Sequence, residues 1–323
     1  MKRLLFVTAL VACGSKSPAP TVPAPAPAPA PAPSPAPSPA PAPTPAPPAT
    51  PTMNPFFEVS SLPYHLPPFD KIKDADYMPA FEKGMEDQRK EIDAIAKSGD
   101  APTFENTIVA MEKTGRLLTR VQKVFFNLNQ SNGDEAMQKI EAEITPRLSA
   151  HNDSILLDSD LFKRVETVYA QKGKLGLDAE STQLLERYHK MFVRAGAKLA
   201  DKDKARLKEL NTQISALQTA FRQRVLAATK EGAVVVEDVK QLDGFTPEQI
   251  SAAAEAAKAR GMGGKWLITL QNTTQQPALE QLTNRELRQR IFEASANRAQ
   301  SGASDTRETV TKLLTLRAEK AKL

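Results

Sequence analysis

A mainly α-helical protein with a small β element near residues 233–270 is what this sequence predicts. Three observations carry that expectation. Apolar residues recur at three- and four-residue spacing through almost all of the chain beyond residue 73. Gly, Pro and Asn-Gly breaks divide the pattern into helix-length runs. Two short β-branched runs stand apart: Ala233-Val234-Val235-Val236 after Gly232, and Lys265-Trp266-Leu267-Ile268-Thr269-Leu270 after Gly263-Gly264.

The first helix is marked by Tyr77, Phe81, Met85, Ile92 and Ile95. Thr103, preceded by Pro102, starts a second that carries Phe104, Ile108, Met111, Leu118, Val121, Phe125 and Leu128. Asn132-Gly133-Asp134 is a turn and a new N-terminus. Met137, Ile140, Ile144 and Leu148 line a third helix, and Leu161, Phe162, Val165, Val168 and Tyr169 a short fourth. Gly173 and Gly176 break the chain before a fifth with Leu184, Leu185, Tyr188, Phe192 and Val193. Asp201 to Lys230 is the longest helical pattern, with Leu207, Leu210, Ile214, Leu217, Phe221 and Val225 on a wide stripe suited to burial in the same body.

Between the two strand candidates, Thr246-Pro247-Glu248 opens a helix through about Arg260, with Thr as cap and Pro at the first helical position. Thr283-x-x-Glu286 reads as a capping box for a helix through Ile291 and Phe292. The last helix begins near Asp305 with Val310, Leu313, Leu314 and Leu316, and shows no stop signal before Leu323. The pattern is that of a chain cut rather than finished.

The first 52 residues, about a sixth of the chain, are different in kind. Lys2 and Arg3 precede a short apolar run, Leu4 to Val11, too short to span a bilayer. Leu10-Val11-Ala12-Cys13 resembles the lipobox of bacterial lipoproteins, and Cys13 is the only Cys of the chain. That excludes an intrachain disulfide and makes Cys13 the candidate lipidation site, with residues 1–12 as signal peptide. Gly14, not Asp, follows, which resembles outer-membrane sorting in a Gram-negative cell. The expected location is extracytoplasmic and membrane-anchored. Pro18 to Pro51 holds 17 of the 26 prolines, so residues 13–52 read as a polyproline II-like spacer with no core. At ~3.1 Å per residue it reaches on the order of 100 Å.

Residues 53–323 form the body, opened by an arm, Asn54 to Lys73. Its prolines at 55, 63, 67 and 68 keep it extended. Phe56, Phe57, Tyr64 and Phe69 are expected to pack against the helices.

Net charge is +5, but acidic and basic residues alternate along helix faces, as in residues 82–90. This argues against nucleic acid as a partner. The three histidines, His65, His151 and His189, form no H-E-x-x-H. His151 falls near a helix C-terminus, where an imidazolium is favoured. There is no Gly-rich phosphate loop and no G-x-S-x-G. The acidic pairs Glu141/Glu143 and Asp158/Asp160 read as ordinary solvated helix faces. No catalytic residue and no metal ligand is assigned.

Six blocks carry a resemblance: NPFFEVSSLPYHLPPFDKIKDADYMPAFEKGM from Asn54, APTFENTIVAMEKTGRLLTRV from Ala101, HNDSILLDSDLFKRV from His151, FVRAGAKL from Phe192, GKWLITLQNTTQQP from Gly264 and LRAEKAKL from Leu316. In order and number they resemble the N-terminal half of Dcp-type bacterial peptidyl-dipeptidases, zinc metallopeptidases of the thimet-oligopeptidase family. The resemblance implies a neurolysin-like helical fold, in which two halves enclose a narrow channel admitting short unfolded peptides. It implies release of C-terminal dipeptides by a Zn²⁺-bound water with a Glu base. The zinc-binding half is absent from these residues, so the resemblance transfers no zinc or catalytic position, and this chain alone is expected to be inactive and to bind no zinc. Asn272-Thr273-Thr274-Gln275-Gln276, placed between a strand and a helix, either faces the channel or caps the helix. The alternative function is a membrane-tethered, non-catalytic helical peptide-binding or scaffold protein.

Overall fold

The computed structural model describes residues 53–323, which form one compact unit. Cys13 and the Pro-rich segment lie outside the described residues.

Helix α1 (Asp74–Ala96) is the centre of the N-terminal half. It packs on α3 (Arg116–Asn132), α4 (Glu135–Leu156) and α5 (Ser159–Ala170). Tyr77, Phe81, Ile92 and Ile95 are all buried, as the periodicity predicts. Gly84 lets α1 and α3 approach closely, since a Cβ there would lie 2.9 Å from the Leu118 backbone. One aromatic cluster fills the gap. Phe125 of α3 meets Tyr77 edge-on at 5.0 Å and Phe81 at 5.4 Å between ring centroids, a favoured geometry for aromatic pairs. Phe56 of the arm completes it, 5.6 Å from Tyr77.

The remaining arm aromatics do not pack as expected. Phe56 is 2% exposed, whereas Phe57 and Phe69 are exposed and Tyr64 is 97% exposed. The cause is local. Asn54 ties the arm down by donating to the Asp76 carbonyl at 2.8 Å, and Arg120 donates to the Phe56 carbonyl. Beyond that point the chain turns outward through Pro63–His65, where Tyr64 and His65 take left-handed φ values of 56° and 55°.

The second expected helix is two. A π-helical turn, Phe104–Val109, runs into α2 (Ala110–Glu112), and the chain then breaks at Gly115 with φ 68° before α3 begins. The apolar pattern crosses the break because both pieces pack on α1. Thr103 caps the first piece as read, accepting from Asn106 N at 3.1 Å. A second cluster joins α1, the π turn, α5 and α6 (Ala179–Ala195), with Ile108, Leu161, Val165, Leu185 and Phe192 fully buried.

Helix α7 (Asp201–Glu231) lies along α4 and carries α11 (Arg307–Lys320) on another side. Leu207, Leu210 and Ile214 are buried; Leu217, Phe221 and Val225 are partly exposed. Arg206 grips Glu319 of α11 with two hydrogen bonds, 2.6 and 3.0 Å. On α11, Leu314 is exposed and Leu313 half-buried.

The β element forms where predicted. Strands β1 (Val234–Val236) and β2 (Trp266–Ile268) pair antiparallel, Val234 with Ile268 and Val236 with Trp266. Val234 and Val236 point into the third cluster, with Leu242, Leu282 and Ile291. Helix α8 (Pro247–Lys258) starts with the expected Thr246 cap, here in a capping box with Gln249. Two boundaries shift. Asn272–Gln276 does not precede α9 (Asn272–Gln281) but forms its first half. Asn284, not Thr283, caps α10 (Arg285–Ala296), because Thr283 Oγ1 donates instead to the Asp243 carboxylate at 2.7 Å.

Candidate functional site

The most organised polar group in the N-terminal half lies where α1, α3, α4 and α6 meet. Gln88 of α1 and His151 of α4, 63 residues apart in sequence, are joined by a 2.8 Å bond between His151 Nε2 and Gln88 Oε1. The other end of the Gln88 amide donates to Thr114 Oγ1 at 3.4 Å, and Thr114 Oγ1 donates to the Met111 carbonyl at 2.8 Å. This chain fixes every orientation. The Thr114 proton is committed to a carbonyl, so its oxygen accepts from Gln88. The Gln88 nitrogen therefore faces Thr114, and its oxygen faces His151. An amide oxygen only accepts, so His151 donates through Nε2 and keeps its lone pair at Nδ1. Gly115 closes over the group; a Cβ there would sit 2.4 Å from Gln88 Nε2.

The His151 expectation is corrected here. Its imidazole is pulled below its ordinary pKa by burial first and by the Arg89 guanidinium second. The ring lies more than a turn before the end of α4 at Leu156, beyond the reach of the helix terminus, and is neutral at pH 7. Beside it is a cavity of about 240 Å³. Tyr188 of α6 borders this cavity and donates to Glu112 Oε2 at 2.5 Å; burial and that bond raise the phenol pKa.

The residues that follow His151 hold the surroundings rigid. Asp153, 6% exposed, accepts from Asn211 Nδ2 of α7 at 2.9 Å on both oxygens, and Lys320 of α11 donates to Asn211 Oδ1 at 2.6 Å. Burial raises the Asp153 carboxyl pKa despite that amide and the nearby Lys320 and Lys208. Arg89 donates to the Ser154 carbonyl at 2.6 Å and to Asp158 Oδ2 at 2.8 Å. Burial opposes ionisation of Asp158, but the amide of Leu161 and Arg89 hold its pKa below the ordinary value. Asp158 is thus the α5 cap, not a solvated acid. Glu141 is buried as well and pairs with Arg222 at 2.8 Å. Glu143 and Asp160 are exposed and pair with Arg147 and Lys163 on their own helices, as read.

The histidines do not converge. His65 bonds the Ser60 carbonyl at 2.8 Å in the arm. His189 meets Glu166 at 3.1 Å and stacks on Tyr169 at 3.7 Å between ring centroids. Among the described residues no group of three or more His, Cys, Asp or Glu is placed to hold a metal ion. The described residues therefore do not fit a zinc site, and no reaction step is derived through one. In α9, Thr274 Oγ1 donates into the β2–α9 turn and Gln275 accepts from Ser295, while Asn272 and Gln276 are exposed. Sequence reading missed Gln88, Thr114 and Asn211. The local signal was thin: a Thr-Gly pair inside what looked like one helix.

The described residues form a mainly helical body with one two-stranded antiparallel sheet. No family model matches the chain. It is 46% identical over 273 residues to dipeptidyl carboxypeptidase of Escherichia coli, covering 84% of this chain and 40% of that protein. It is likewise 46% identical over 271 residues to the Salmonella typhimurium enzyme of the same name, covering 84% and 40%. Organellar oligopeptidase A of Arabidopsis thaliana is 24% identical over 266 residues, covering 80% of this chain and 34% of that protein. The chain belongs to this peptidase family. It spans about 40% of the length of the bacterial relatives it matches.

Proposed function

We propose that the chain is the N-terminal, channel-forming part of a zinc peptidyl-dipeptidase, carried on the membrane by lipidated Cys13. The observation that supports this most is 46% identity to a dipeptidyl carboxypeptidase across 84% of the chain. In this reading α1, α3 and α4 form one wall beside short unfolded peptides. Their rigidity comes from the Phe125 cluster and the Arg89 network, which lock three helices through side chains rather than loops. The catalytic donors belong to residues outside this chain. In this reading the chain alone neither hydrolyses peptides nor holds zinc.

The test uses the full chain. Incubated with an N-blocked hexapeptide and added Zn²⁺, it leaves the peptide intact by mass spectrometry; chelator-sensitive loss of a C-terminal dipeptide contradicts the reading. Expressed in a bacterium that processes lipoproteins, it partitions with membranes, and Cys13→Ala releases it. Unchanged partitioning of the variant contradicts the tether.

A further inference from the structure

A second cavity, of about 300 Å³, opens where α4, α6, α7 and α11 meet, and only Ala195 and Ile214 of its lining are apolar. Its most buried charge is Asp153, 6% exposed, whose two carboxylate oxygens share one donor, Asn211 Nδ2, at 2.9 Å each. An ionised carboxylate has room for about four hydrogen bonds, so most of this one's capacity is unused among the described residues. A buried acceptor left unmatched costs free energy. Ser215, 9% exposed, lines the same cavity; its hydroxyl has no hydrogen-bond partner among the described residues and is not sealed from solvent. The side chains of Ser149, Asn152 and Gln218, also in the lining, likewise make no hydrogen bond among the described residues.

Charge selects the ligand. The Asn211 amide that donates to Asp153 is held at its other end by a cation, since Lys320 Nζ donates to Asn211 Oδ1 at 2.6 Å. One amide thus separates a carboxylate on its nitrogen side from an ammonium on its oxygen side. Lys320 and Lys208 both lie near enough to act on the Asp153 charge. A ligand of single positive charge therefore meets two ammonium groups, and a ligand of single negative charge meets a buried carboxylate. A ligand with both charges satisfies both ends. The spacing sets its length. Two hydrogen bonds and an amide stand between Asp153 and Lys320, whereas a single carbon separates the charged groups of a free α-amino acid. One peptide unit between the charged ends matches the wider span. That unit brings one N–H and one C=O, for which the unpartnered hydroxyls and amides of the lining offer acceptors and donors.

We propose that this cavity binds an unblocked dipeptide as its zwitterion, with the ammonium on Asp153 and the carboxylate on Lys320. The site is built from α4, α7 and α11 of this chain and needs no hydrolysis to fill it, so it does not rest on the peptidase reading.

At about pH 6.5 alanylalanine is a zwitterion. Its N-acetyl form keeps only the carboxylate, and its C-terminal amide keeps only the ammonium. Calorimetric titration of the full chain gives alanylalanine an affinity about tenfold or more above both blocked forms and above free alanine. Asp153→Asn abolishes the preference over the N-acetyl form and keeps the preference over the amide. Lys320→Met does the reverse. A variant that only weakens the fold lowers all four ligands together, so the opposite splits report direct contact. Equal affinity for the zwitterion and its blocked forms, alanine binding as tightly as the dipeptide, variants that lower every ligand in parallel, or no saturable dipeptide binding up to about 1 mM overturns the proposal.

Discussion

His151 Nε2 and Gln88 Oε1 lie 2.8 Å apart across the α1–α4 interface, and Gly115 seals the pair from above. The glycine is required twice over. Its φ of 68° is a left-handed conformation, costing an L-residue roughly 1–2 kcal/mol. A Cβ would also collide with Gln88. Gly115→Ala is therefore expected to destabilise the chain by at least about 1–2 kcal/mol in urea unfolding. The same substitution at Gly173, where a Cβ meets nothing within 4 Å, is expected to have little effect.

The His151 pKa sets a pH dependence with a definite sign. The folded value lies below the ordinary 6.5 because burial and Arg89 disfavour the imidazolium. The unfolded chain therefore binds the proton first. Stability from this group is complete above pH 6.5 and falls as pH drops from there through the folded pKa. The nearby charged groups are Arg89 on α1, itself paired with Asp93 and Asp158, and Glu112, which holds Tyr188. His151→Gln is expected to flatten this limb in thermal unfolding measured across the range.

Asp153 behaves oppositely. Burial raises its folded pKa above 3.8, so its contribution is present below that value and lost as pH rises through the folded pKa. Asp153→Asn keeps an acceptor for Asn211 without the charge. It is expected to be more stable than the parent at pH 7 in urea unfolding, and the advantage should vanish in acid.

The arm separates packing from exposure in one stretch of sequence. Phe125 and Phe56 share the aromatic cluster, and Phe57 does not. Phe125→Ala is expected to cost about 3–5 kcal/mol. Phe57→Ala is expected to stay within about 0.5 kcal/mol of the parent. Paired urea titrations of the two variants check this.

Helix existence was legible because one apolar face repeats along each segment, and the β1–β2 pairing was legible from β-branched runs flanked by glycines. The Gly115 break was hidden because Met111 and Leu118 both face α1 and keep the period intact across it. Cap positions slipped when a side chain found a tertiary partner, as Thr283 did in Asp243. The His151–Gln88 pair was invisible for a stronger reason. It is made by packing between helices far apart in sequence, and neither residue carries a local signature of the other. Burial likewise turned Asp158 and Glu141 from surface charges into structural ones, which composition alone does not reveal.

Zinc stoichiometry of the purified full chain tests the central claim most directly. After equilibration with Zn²⁺ and exhaustive dialysis, elemental analysis is expected to find far less than one zinc per chain. One zinc per chain, retained through dialysis and lost together when His65, His151 and His189 are replaced, would mean that the chain builds its own metal centre. That result would contradict the proposal that the chain is a channel wall without a metal centre of its own.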